Sequence, residues 1–164
     1  MARRVDKLDD LLTFKKEATK RINDVTTRLD EISKSCDRIE KAINEMENYS
    51  YQFNVNIVGM PMTTEKESAE ETTDLCLRLF KSLGVDDITA QDIDIAHRVP
   101  ARFPSNRPNA IICKFVRRLA RNKVMSVRRS VGTLSNEQLG LHPDLDIKRV
   151  RIYDHLTPSM QSVL

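Results

Sequence analysis

Along the first third of the chain, apolar residues recur at alternating steps of three and four. With Leu8, Lys15, Ile22, Leu29, Cys36 and Ile43 at heptad position a, position d falls on Leu11, Ala18, Val25, Ile32, Ile39 and Met46. Lys15 is the one clear polar break, and neither Gly nor Pro interrupts the run. A 3.5-residue repeat held for this length predicts a coiled coil over residues 1–50. A core helix would show a wider, shorter stripe. At ~1.5 Å per residue, about 40 residues make a rod of roughly 60 Å. A helix that buries only a narrow seam needs partners from other chains. β-branched Val25, Ile32 and Ile39 at d crowd a parallel dimer, so a homotrimer is favoured over a dimer, with Lys15 setting the register. Oligomerisation is expected to rest on Leu8, Leu11, Ile22, Val25, Leu29, Ile32, Cys36, Ile39, Ile43 and Met46. The lesser alternative is one helix docked on its own domain.

Beyond Tyr51 the period shortens. "FNVNIVGMP" alternates Val55, Ile57 and Gly59 against Asn54, Asn56 and Val58 before Pro61, which predicts a strand and its stop. Thr63 or Thr64 can cap a helix with Glu65 and Glu67 in its first turn, running through Leu75, Cys76, Leu79 and Phe80 to a stop at Gly84. "DIDIAHRV" predicts a second strand, with Ile93, Ile95 and His97 on one face and Asp94, Ala96 and Arg98 on the other. "AIICKFV" (110–116) has the continuous apolar character of a central strand. The helix after it is expected to bury Val116, Ala120, Val124 and Val127 and to turn out Arg117, Arg121 and Arg128. A loop and a final strand at "KRVRIYD" complete the order βαββαβ, a split-βαβ sandwich with one open sheet face. The predicted fold class is therefore α+β, a coiled coil followed by a domain over residues 52–153.

Charge changes the picture. Residues 1–52 are balanced, with 11 Lys/Arg against 11 Asp/Glu; residues 53–92 carry 3 against 8, and residues 93–164 carry 13 against 5. A basic block of that density answers a polyanion, either nucleic acid or an anionic surface. Ten of its cations are arginines and three are lysines, a ratio that suits bidentate phosphate contacts. The acidic first helix reads as a solvated face. The three cysteines (Cys36, Cys76, Cys113) fall at apolar positions without CxxC spacing and read as small hydrophobes. No stretch approaches the ~20 apolar residues of a membrane span, and the start carries no leader-like apolar run. An intracellular protein, cytoplasmic or nuclear, is expected, with no membrane partner. Asp92 and Asp94 lack a neighbouring base or nucleophile, and no phosphate-cradling or nucleophile-elbow motif is present, so no enzyme and no small-molecule substrate are expected. His97 stands without ligand-spaced Cys or acid, so no metal or other cofactor is expected and a packing or hydrogen-bonding role is assigned to it.

Three segments carry a family resemblance: "NVNIVGMP" (Asn54, Ile57, Gly59, Pro61), "HRVPARF" (His97, Arg98, Pro100, Arg102, Phe103) and the "LTP" after the last strand. Together with the preceding heptads they resemble the RNA-binding protein encoded by the first reading frame of LINE-type retrotransposons and the baculoviral few-polyhedra (FP) proteins. The resemblance covers nearly the whole chain from about Leu8. It implies a trimerising coiled coil, an RRM-like nucleic-acid-binding domain and a small C-terminal domain, together acting on single-stranded nucleic acid as an annealing chaperone or in ribonucleoprotein assembly. Residues 154–164, opening on the N-cap Thr157 and Pro158, read as the truncated start of that C-terminal domain.

The expected binding set is Arg98, Arg102, Arg107, Lys114, Arg117, Arg118, Arg121, Lys123, Arg128, Arg129, Lys148, Arg149 and Arg151, with single-stranded RNA or DNA as partner. Ordinary RRMs stack bases on aromatics of the two central strands. Here Phe115 is the only aromatic in those strands, so contacts mainly to phosphate and poor sequence selectivity are expected. The alternative is a coiled-coil scaffold whose basic domain binds an acidic protein.

Overall fold

A computed structural model describes residues 1–161. The chain is α+β and divides into two units, Met1–Met46 and Glu47–Leu164.

The first unit belongs to one long helix, α1 (Ala2–Tyr51), in which no residue is buried. The large apolar heptad residues are 50% (Ile43) to 72% (Met46) exposed, and Ala18 is half-buried. Local contacts support the helix: the Thr19, Thr26 and Thr27 hydroxyls donate to carbonyls four residues back. Glu17–Arg21 and Lys41–Glu45 pair at i,i+4. Such pairs contribute only a few tenths of a kcal/mol each, so the apolar seam is the feature that still needs covering. No helix among the described residues is long and apolar enough to cross a membrane.

The second unit runs β1 (Asn54–Val58), α2 (Ala69–Ser82), β2 (Ile93–Arg98), β3 (Ile111–Phe115), α3 (Arg118–Val127), β4 (Arg151–Asp154) and a single turn α4 (Pro158–Gln161). The sheet is antiparallel in the order β2-β3-β1-β4, so β3 is central as its apolar run predicts. Both α2 and α3 pack on one face. Leu75, Cys76, Leu79 and Phe80 of α2 and Ala120, Val124 and Met125 of α3 join Val55, Ile57, Ile93, Ala96, Ile111, Cys113, Phe115 and Ile152 of the sheet in one core. The expected loop after α3 adds Leu139 and Leu141 to that core. Asn136 holds the loop by donating to the carbonyls of His142, Pro143 and Leu145. Arg78 ties it to α2 through the Leu139 and Gly140 carbonyls.

Several boundaries and faces differ from expectation for identifiable reasons. The first helix starts later than Thr63 or Thr64 predicts. Ser68 and Glu71 form a reciprocal capping box, and Glu67 is drawn away into a buried ion pair, leaving 61–67 as a loop. Its far end behaves as read: Gly84 has φ +84, the Gly84 N–H reaches the Lys81 carbonyl and the Val85 N–H the Phe80 carbonyl, a Schellman stop. On β2 a register shift between Ile93 and Ile95 breaks the simple alternation. Ile93 and Ala96 are buried, whereas Ile95 and His97 are exposed. An extra residue in one strand re-aims all that follow. On the second helix Val116 is exposed and Met125 takes its place in the core. Gly59 has φ +73, and a Cβ there would lie 2.3 Å from the Arg149 carbonyl oxygen, so only glycine lets these two backbones meet. At Thr157 the expected N-cap forms, with the Met160 N–H donating to its Oγ1 at 3.4 Å; the last three residues of the expected C-terminal segment lie outside the described residues.

Candidate nucleic-acid interface

The strand pairings divide the predicted cations between the two ends of the sheet. At one end β1 and β2 finish while β3 and β4 begin. The 99–110 connection sits there with Arg102 and Arg107, as does the approach to β4 with Lys148, Arg149 and Arg151. Arg107 and Arg149 line one cleft of about 480 Å³ with Val58, Gly59, Pro61 and Pro108. Asp146 also lines it, and its carboxylate is 4.0 Å from Arg149. Arg151 donates to the Lys148 and Val150 carbonyls through one nitrogen and keeps its other donors. The side chains of Arg102, Arg107, Arg129 and Lys148 have no hydrogen-bond or ion-pair partner among the described residues. Among the residues lining this cleft, Asp146 is the one acid beside Arg107 and Arg149.

At the other end, where β3 passes into α3, most cations are engaged. Arg117 reaches Asp92 at 2.6 Å. Asp92 also accepts from the Thr89 N–H at 3.0 Å, and that backbone bond, with the Arg117 guanidinium, holds its carboxyl below the ordinary carboxylate range. Arg121 is not turned out as the helical pattern predicts: its side chain is 15% exposed and pairs with Asp154. It donates as well to the Asn54 carbonyl at 3.4 Å. Lys123 pairs with Asp87 and pulls that carboxyl down. Arg118 donates to Gln52 at 2.7 Å and lies 6.0 Å from the Tyr49 ring centre. At the far end of α3, Arg128 donates to the Met125 carbonyl at 2.8 Å.

Arg98 is the clearest departure from the predicted set. Its guanidinium points inward: Nε donates to Glu67 Oε1 at 3.3 Å, Nη1 to the Met60 and Asn109 carbonyls at 2.7 and 3.0 Å, and Nη2 to the Pro61 carbonyl and Glu67 Oε2 at 2.9 and 3.0 Å. A guanidinium has five N–H groups, and all are engaged. The two side chains are 10% and 1% exposed. Arg98 clamps the β1–α2 loop to the root of the 99–110 connection and has no donor left for phosphate. The motif that holds it gives no hint of this, because the partner, Glu67, reads in the sequence as one acid of a solvated helix.

The open sheet face lies between the two charged ends. Phe115 points into the core, stacked on Phe80 at 5.6 Å, so the central strands present Asn54, Asn56, Ile112 and Lys114 instead of aromatics. Rings reach this face from elsewhere: Tyr153 on the edge strand, opposite Asn56, and Tyr51 against His155 at 4.4 Å. His97, expected to pack, is exposed and lines a cleft here with Ile95, Ile112, Lys114 and His155. Burial, with the His97 charge adding to it, lowers the His155 pKa. Lys114 pairs with Asp94 at 3.1 Å, while Asp92 is buried in its own contacts, so the two aspartates form no carboxylate pair.

Cys76 and Cys113 are buried core residues and Cys36 is exposed on α1. Hydrogen bonding to Cys76 and burial push the Cys113 thiol well above the ordinary range. Among the described residues no group of three or more His, Cys, Asp or Glu side chains is placed to hold a metal ion. The chain matches no protein-family model, and a search of curated proteins finds no relative.

Proposed function

We propose that the chain is a self-associating coiled-coil protein whose second unit binds single-stranded nucleic acid, RNA before DNA, chiefly through phosphate. The observation that carries this is the cationic end of the sheet. Arg102, Arg107, Lys148, Arg149 and Arg151 collect there beside an open sheet face. The side chains of Arg102, Arg107 and Lys148 have no ion-pair or hydrogen-bond partner among the described residues, while Arg149 has only Asp146 at 4.0 Å. The order of elements and the strand order β2-β3-β1-β4 support the reading of an RRM-like sandwich, in which RNA would lie on the open face. The resemblance to LINE-type and few-polyhedra proteins points the same way and suggests a chaperone or ribonucleoprotein-assembly role. The bare heptad seam of α1 supports a parallel trimer. Three weak sites on one strand then gain avidity.

The test is a salt titration of a single-stranded RNA on the full chain, with its mass measured by sedimentation in the same buffer. If about six phosphates are contacted, affinity falls roughly 10²–10³-fold between about 50 and 200 mM salt. A flat log–log slope, or no binding at low salt, overturns nucleic-acid binding and leaves an acidic protein as the partner. A monomer at micromolar concentration overturns the coiled coil.

A further inference from the structure

The cleft on the open sheet face measures about 450 Å³ and carries chemistry that phosphate binding leaves unused. Asn54 and Asn56 line it, one residue apart on β1 and therefore on one face of the strand. Asn54 is 7% exposed, and its amide nitrogen lies 3.1 Å from His155 Nδ1, which orients the group. The side-chain amide oxygens (Oδ1) of both asparagines are buried and have no hydrogen-bond partner among the described residues. Buried polar atoms are almost always satisfied, and an unmet acceptor in a core-like setting is destabilising. Two such atoms side by side call for a ligand that brings N–H donors.

The other walls define that ligand further. Ile95 and Ile112 give an apolar surface, and the Tyr51 and His155 rings, 4.4 Å apart and tilted by 31°, flank it. Flat apolar contacts with donors at the edge suit a nucleobase. Lys114 also lines the cleft, and its ammonium, paired with Asp94 at 3.1 Å, keeps further donors, which favours a base that also carries an acceptor oxygen. Of the four RNA bases, guanine alone places two different N–H groups, N1–H and the 2-amino group, beside such an oxygen. We propose that this cleft seats one unstacked guanine, Asn54 and Asn56 accepting from its two N–H groups and Lys114 donating to O6. Both oxygens are buried in the unbound chain, so seating the base requires the side chains that line the cleft to shift. This rests on the nucleic-acid reading and replaces poor sequence selectivity with a preference at one nucleotide.

The experiment measures fluorescence anisotropy of labelled uridine oligomers on the full chain at fixed salt. The central position is uridine, guanosine, inosine, adenosine or cytidine. Guanosine is expected to bind about tenfold tighter than uridine, with inosine, which lacks the 2-amino group, between them. Asn56→Leu should remove the preference and leave the salt slope unchanged. Guanosine and uridine binding within about twofold, another base preferred, or a preference that survives in Asn56→Leu overturns the guanine site while leaving phosphate binding intact. Should the variant lose its circular dichroism spectrum, the inosine arm decides on the native protein: inosine as tight as guanosine overturns the proposal. Absence of binding by every oligomer at low salt overturns both this site and the nucleic-acid reading.

Discussion

Arg98 and Arg107 flank Pro100 and Pro104 in a single stretch of chain, and they meet opposite environments. Arg98 is sealed under the β1–α2 loop with all five donors engaged and Glu67 as its counter-ion. Arg107 lines a cleft beside Arg149, and its guanidinium has no partner among the described residues. The same contrast holds between the two ends of the sheet. Arg117, Arg121 and Lys123 pair with Asp92, Asp154 and Asp87, whereas the side chains of Arg102, Arg107 and Lys148 at the other end have no ion-pair partner among the described residues. Formal charge counted along a sequence therefore measures how much cation is present, not how much remains for a ligand after folding. A guanidinium that has already exchanged water for carbonyls and a carboxylate gains nothing from a phosphate unless those bonds break.

The largest effect tests the buried side of the contrast. Removing one partner of a buried ion pair leaves the other charged and unsolvated, a loss of about 3–5 kcal/mol. Arg98→Met should lower the unfolding free energy by that amount in urea titrations. Arg107→Ala should stay within ~0.5 kcal/mol, the usual range of exposed substitutions. Adding Glu67→Gln to Arg98→Met should recover part of the loss, because the stranded carboxylate is then gone. Equal costs at the two arginines, or strict additivity of the pair, would erase the distinction.

The next effect is on binding. Replacing Arg102, Arg107 and Arg149 together by Ala should reduce the log–log salt slope for single-stranded RNA by about 2, at ~0.7 for each lost contact, with stability little changed. Arg121→Ala should do the reverse. Its side chain joins Asp154 to the Asn54 carbonyl, so the unfolding midpoint drops while the slope holds. A slope that falls with Arg121 and not with the triple variant would move the strand to the α3 end of the sheet.

Much of this fold was legible because its signals are local. The Gly84 stop, the apolar run of β3 and the order of elements follow from residue type and spacing. What escaped needed information from far along the chain. Glu67 reads as one more acid of a helix until Arg98 is brought to it across the fold. One extra residue between Ile93 and Ile95 sends Ile95 and His97 to the open face, a shift that composition does not encode. Asn54 and Asn56 were visible as the polar side of an alternating strand, the usual mark of a solvated surface. Only burial of their side-chain amide oxygens without partners separates them from that ordinary case. Charge clustering showed which half of the chain carries the cations but not their division between two ends.

The smallest effect is a pH dependence at the acid-paired end, and its sign is unusual for a histidine. His155 lies against Tyr51, and its Nδ1 accepts from Asn54 at 3.1 Å. Burial, reinforced by the His97 charge, depresses its pKa below the ordinary 6.5. Between the folded-state pKa and 6.5 the unfolded chain therefore binds more protons than the folded one, and stability rises with pH through that window. Acidifying from pH 7 should leave stability unchanged until about 6.5, then lower it until the folded-state pKa is passed. Protonating Nδ1 removes the acceptor that orients Asn54, so the loss is felt at the asparagine cleft. His155→Gln should flatten this part of the profile in urea titrations at graded pH. His97→Gln should shift the remaining profile to slightly higher pH by removing the neighbouring charge. Arg107 lines a different cleft from His155, so Arg107→Ala should leave the profile superimposable. A profile that instead gains stability on acidification would mean that protonated His155 finds an acid partner in the folded chain, and the Asn54 contact would then be secondary.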